Sequence, residues 1–144
     1  MNPRTSSMNP RTSSILGRHP AAMASTEARE QLAACIDSCL VCAQTCTTCA
    51  DACLAEEGVK DLVGCVRLDL DCADVCSATA SVLARASGGI ERAARDLLRV
   101  CSDVCAACAD MCAGHAEEYA HCLVCAEACR DCQHACKDLL DALP

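Results

Sequence analysis

The residues that could do chemistry in this 144-residue chain are its 18 cysteines. Cys35, Cys39, Cys42, Cys46, Cys49 and Cys53 recur at alternating steps of four and three. So do Cys101, Cys105, Cys108 and Cys112, and again Cys122, Cys125, Cys129, Cys132 and Cys136. A fourth set, Cys65, Cys72 and Cys76, keeps the rhythm with one gap. On an α-helix that rhythm puts every thiol of a run on one face, the seam that meets the core of a bundle. One or two cysteines serve as small hydrophobes in many cores. Whole seams of them are better explained by a demand for sulfur.

Disulfides fit poorly, because thiols four apart on a regular helix sit near the Cα distance limit and are badly oriented for bridging. Zinc asks for four tetrahedral ligands, usually offered by loops and CxxC knuckles. Iron–sulfur clusters need four local cysteines and room for the cluster. Copper(I) is soft, selects thiolates and accepts two or three of them, which suits neighbours three or four apart on one helix. If each thiolate bridges two ions, the ratio is about one Cu(I) per Cys, and monovalent ions then cancel the thiolate charge that burial makes costly. The expected cofactor is Cu(I), many ions per chain.

Three other residues join the candidate metal set. Asp69 fills the seam position in the gap, four after Cys65 and three before Cys72. A carboxylate there is expensive unless it is paired or bound to metal. His115 continues the third stripe three residues past Cys112, and His121 directly precedes Cys122; imidazole is a competent ligand for copper. Asp61 and Met111 are weaker candidates, and His134 and His19 read as surface residues.

Four helical segments must position these groups: about Ser25 to Glu57, Val59 to Ser87, Ile90 to Glu117 and Tyr119 to Ala142. Ser25 is an N-cap with Glu27 in the first turn, while Gly58 and Gly88–Gly89 are stops. The connections are short, so neighbours run antiparallel. The expected fold is all-α, an up-down-up-down four-helix bundle with a cysteine-lined core. Composition agrees: 53% of residues are hydrophobic, yet 1% are aromatic, and the weight falls on Ala, Leu and Cys rather than on strand formers. One end gathers Cys53, Cys65, Cys112, His115 and Cys122. The other collects Leu32, Val82, Leu83, Leu97, Leu98, Leu139 and Leu140 as an aliphatic plug. A second stripe on the first helix, Ile36, Leu40, Ala43, Thr47, Ala50 and Leu54, flanks the core or meets another protomer.

A net charge of −8 with no basic run speaks against nucleic acid as a partner. No run of about 18 consecutive apolar residues marks a membrane span. The MNPRTSS motif occurs twice in tandem at the N-terminus (1–7, 8–14), without the apolar core of an export signal. Residues 1–24 are expected to form a disordered tail and 25–144 the metal-binding bundle, in a reduced, cytoplasmic protein.

The CxxxCxxCxxxC run at 101–112, followed by His115, the His121–Cys122 pair and CxxCAExCRxCxxAC at 122–136, resembles the cytosolic copper storage protein family. The resemblance spans roughly Thr26 to Leu140. It implies a Cu(I)-filled bundle, a homotetramer, a copper chaperone as donor, and histidines at the mouth through which copper passes. Exported members carry a twin-arginine leader, which this N-terminus lacks. The expected function is high-capacity Cu(I) storage or detoxification with no catalysis. The rival readings are an iron–sulfur or zinc thiolate protein and a thiol-based redox sensor.

Overall fold

The computed structural model describes residues 9–23 and 25–144. Among the described residues five α-helices follow one another: α1 (Pro10–Gly17), α2 (Thr26–Leu54), α3 (Val63–Leu83), α4 (Arg92–Ala113) and α5 (Ala120–Ala142), with a 3-10 turn at Val59–Leu62 leading into α3. Helices α2 to α5 form the antiparallel four-helix bundle that the stripes require. In it α2 packs between α3 and α5, and α4 closes the ring between the same two. The seam cysteines are inside, and all 18 are buried and unbridged.

Ser25 caps α2 as expected, its hydroxyl accepting the Ala28 N–H at 3.2 Å. By length and composition α2 could cross a membrane, but over half of its most apolar window is buried inside the bundle, and its cysteines supply much of that apolarity. At one end Leu32, Leu83, Leu98 and Leu139 have no solvent exposure, which makes the aliphatic plug. Of the second stripe on α2, Ile36, Ala43 and Ala50 are buried at the flank of the core, whereas Leu40 and Leu54 are exposed.

Two differences from the sequence reading matter. The first is α1, which stands inside the stretch expected to be a structureless tail; residues 1–8 of that stretch, and residue 24, lie outside the described residues. The local signals for α1 are real. Asn9 is an N-cap whose side chain accepts the Arg11 N–H, and Pro10 opens the first turn. Eight residues are too few to hold a helix in water alone, so docking decides. Asp37 of α2, nearly buried, accepts the Asn9 N–H and the Thr12 hydroxyl, each at 2.7 Å. A carboxylate at the positive end of the α1 dipole is favourable. Leu16 is buried against the same surface.

The second difference is that α4 ends at Ala113, with Gly114 as its C-cap, rather than near Glu117. Residues 114–118 form turns. That early stop changes which histidine reaches the core.

Candidate metal centre

The thiols form one continuous column along the bundle axis. Starting at the leucine plug, Cys35 meets Cys136 at 3.8 Å. Cys39 lies 4.0 Å from Cys101 and 3.7 Å from Cys132. Cys76 touches Cys101, Cys105 and Cys132 at 3.6–3.9 Å. Cys72 reaches Cys42 at 3.9 Å and Cys105 at 3.8 Å. Cys129 sits 3.7 Å from Cys42 and 3.5 Å from Cys46, and Cys125 is 3.7 Å from Cys46.

Several sets of four sulfurs have all their ligand atoms within 4.8 Å of one another. They are linked by shared members. Cys39, Cys101, Cys132 and Cys136 share Cys132 with Cys42, Cys76, Cys105 and Cys132. That set shares Cys42 with Cys42, Cys46, Cys72 and Cys129, which shares Cys46 and Cys129 with Cys46, Cys108, Cys125 and Cys129. The sets repeat along the axis because each helical seam returns about once per turn, and each set draws its sulfurs from two or more helices. Shared sulfurs are what bridging thiolates need.

Asp69 occupies the column where α3 lacks a cysteine. It has no solvent exposure. Its Oδ1 accepts the thiols of Cys108, Cys125 and Cys112 at 3.1, 3.3 and 3.4 Å, and its Oδ2 accepts Cys65 at 3.9 Å. Burial pushes its pKa up to about 8, against a smaller pull downward from the Cys108 hydrogen bond. In the metal-free protein at neutral pH the carboxyl therefore tends to keep its proton. Four thiols and a carboxyl converge here, and Cys65 and Cys112 are themselves 3.6 Å apart.

At the far end His121 joins Cys49, Cys53 and Cys122 in a further group of four. Its Nδ1 is 3.4 Å from Cys49 Sγ and 3.7 Å from Cys122 Sγ. Its Nε2 faces Glu56 Oε1 at 3.1 Å. Burial pushes the thiols of Cys53 and Cys122 up, to about 12 and about 11. A metal ion bound at this end must therefore displace protons.

His115 stands elsewhere. It lies in the turn after α4, half-buried, with its ring centroid 6.5 Å from that of Tyr119. It hydrogen-bonds no thiol among the described residues. Tyr119 in turn is 6.0 Å from His121, and its hydroxyl packs against Gly58, where a side chain would collide with it. Leu62, fully buried, takes the inward position beside Cys65, and Asp61 is exposed. Met111 is partly exposed and lies over Gly64. His134 and His19 are on the surface. Glu56 is the residue that sequence reasoning missed; it follows the end of α2, where no periodicity assigns it a direction.

The sequence profile of the copper storage protein family matches residues 28–141. Among solved structures, the copper storage protein Ccsp from Streptomyces lividans, loaded with 10 copper equivalents, is 52% identical, with a TM-score of 0.86 over 92% of this chain and 99% of that one. A cytosolic copper storage protein from Streptomyces lividans carrying five coppers is 56% identical, with a TM-score of 0.78 over 81% of this chain and 98% of that one. The Cu(I)-bound copper storage protein BsCsp3 is 34% identical, with a TM-score of 0.67 over 74% of this chain and 95% of that one. No curated protein sequence matches the chain.

Proposed function

The chain belongs to the copper storage protein family, and from that premise we infer that its buried sulfur column is the store. The protein binds and stores Cu(I) in quantity through the thiolates that line the bundle. One observation carries the assignment of residues: sulfur meets sulfur at 3.5–4.0 Å at successive levels from the Cys35–Cys136 pair to the Cys65–Cys112 pair, with Asp69 bridging where α3 lacks a cysteine and His121 meeting Cys49 beyond. Every ion in such a column has two or three thiolates within reach, and neighbouring sites share them.

Charge selects the ion. A divalent metal held by four unshared thiolates would leave half of their charge uncompensated in a site without water, which is very costly. One Cu(I) per bridging thiolate leaves none. Burial of all the thiols also argues against a redox sensor, whose cysteines must be accessible.

The ligand set comprises the 18 cysteines with Asp69 and His121, the two groups whose polar atoms reach thiols directly. His115 serves beside the mouth rather than in the column. Copper passes at the His121 end, because the opposite end is closed by leucine side chains that offer the ion no ligand. The bundle works in the cytosol, as the Streptomyces lividans relative does, on Cu(I) delivered by a chaperone. It assembles as a homotetramer, for which exposed Leu40, Val41, Leu123 and Val124 on α2 and α5 supply apolar surface. The storage family to which the chain belongs supports a binding role rather than catalysis.

The deciding experiment is anaerobic titration with Cu(I) against a chromophoric chelator, with elemental analysis of the product. Uptake of ~18 Cu(I) per chain, about one per thiolate, is the expected result. Saturation at four or five ions, or zinc or iron in the isolated protein, would overturn it.

A further inference from the structure

Glu56 lies one residue past the C-cap of α2, in the turn that leads toward α3. His121 is the second residue of α5. The two meet across the end of the bundle at 3.1 Å, Oε1 to Nε2. The contact is half-exposed, with a quarter of the His121 side chain and about a third of Glu56 reachable by solvent. As a surface ion pair it would be worth little. Its interest lies in what it does to the other edge of the ring.

An imidazole has two nitrogens, and when neutral it carries one proton between them. A carboxylate accepts hydrogen bonds and has none to give. Facing Glu56, Nε2 must be the protonated nitrogen. The lone pair is then on Nδ1, which points at Cys49 and Cys122 from 3.4 and 3.7 Å. Without the carboxylate nothing on the solvent side selects the tautomer. The ring torsion is also broad and roughly two-fold, so the ring could present carbon to the thiols as readily as nitrogen.

We propose that Glu56 is a positioning residue for copper capture, accepting the Nε2–H of His121 so that the bare Nδ1 faces Cys49 and Cys122. The proposal rests on the reading of this end as the mouth of the store. A metal-bound histidine whose second nitrogen is held by a carboxylate is fixed in orientation and made more basic, and loss of that partner costs metal affinity about 10–100-fold. Here the effect falls on the first ion captured. The rest of the column holds copper through its own thiolates and Asp69, none of which touches Glu56, so total capacity does not depend on Glu56.

The test has a part that involves no copper. In reduced, metal-free, 15N-labelled protein, long-range proton–nitrogen correlation reports which His121 nitrogen carries hydrogen. Wild type is expected to show a protonated Nε2 and a bare Nδ1, and Glu56→Ala to lose that pattern. Glu56→Ala should also take its first Cu(I) from a chromophoric chelator about 10-fold more weakly or worse, with final capacity equal to wild type. Glu56→Gln, which keeps an acceptor oxygen but can also donate, should fall between the two and guards against loss of folding in the alanine variant. A wild-type ring protonated on Nδ1, or both variants matching wild type in tautomer and first-ion affinity, overturns the proposal. Failure of wild type to fill with copper would instead overturn the storage assignment, and the tautomer measurement stands apart from it.

Discussion

Asp69 Oδ1 and Cys108 Sγ lie 3.1 Å apart in the middle of the bundle, with no solvent at the carboxyl. That contact joins a hard oxygen ligand to a soft sulfur one at the level where α3 has no cysteine. It also sets a pH dependence. An ordinary aspartate loses its proton near pH 3.8, whereas Asp69 in the folded protein holds it to about 8. Between those values the folded state binds more protons than the unfolded one, so stability falls as pH rises. Its contribution is fully present below about pH 4 and is lost on the way to about pH 8. Urea unfolding of the metal-free protein between pH 5 and pH 7.5 should show this decline, and Asp69→Asn should flatten it. An identical slope in the variant would exclude Asp69 as its source.

Cys46 is shared by two of the four-sulfur groups. Cys46→Ala should therefore remove about one or two ions from a capacity of ~18, while first-ion capture at the His121 end stays near wild type. Endpoint titration against a Cu(I) chelator checks the first outcome and stopped-flow mixing the second. Unchanged capacity would mean that the column is not filled at that level.

The plug should behave as ordinary core. Leu98 has no exposure, and Leu98→Ala should cost about 2–5 kcal/mol through lost burial and the cavity left behind. Copper capacity of the folded variant should not change. Chemical denaturation of the reduced, metal-free protein measures the first, and its circular dichroism should already be helical, because protonated cysteines pack as small apolar groups. A coil spectrum without metal would contradict that expectation.

The two histidines should separate kinetically. His121 reaches two thiols and His115 reaches none among the described residues. His121→Ala should slow both uptake and chelator-driven release with capacity nearly intact, and His115→Ala should have the smaller effect. Equal rates in the two variants would place the passage of copper elsewhere.

The stripes carried most of the structure in the sequence. Steps of three and four fixed the helices, their inward faces and the seam position of Asp69, because a helix repeats its geometry and a buried face cannot be chosen at random. What the stripes do not reach lies where periodicity stops. The sequence projects His115 onto the seam only if α4 continues past Gly114, and it ends at Ala113. His121 lies one residue off the α5 stripe by spacing, yet the start of α5 at Ala120 turns it toward Cys49. Glu56 follows the last turn of α2 and had no pattern to mark it. Asn9 and Pro10 do spell a helix start, but whether eight residues stay helical depends on Asp37 and the surface around it, a tertiary matter that composition outweighed.

The leucines that close one end give the store a memory of its own filling. If copper passes only at the proposed His121 end, ions that move inward toward the Cys35–Cys136 pair would be covered by later arrivals. Withdrawal then runs last in, first out. A store so built would hold two pools of different age, a shallow one near His121 that trades with its surroundings and a deep reserve that turns over only when the shallow one is spent.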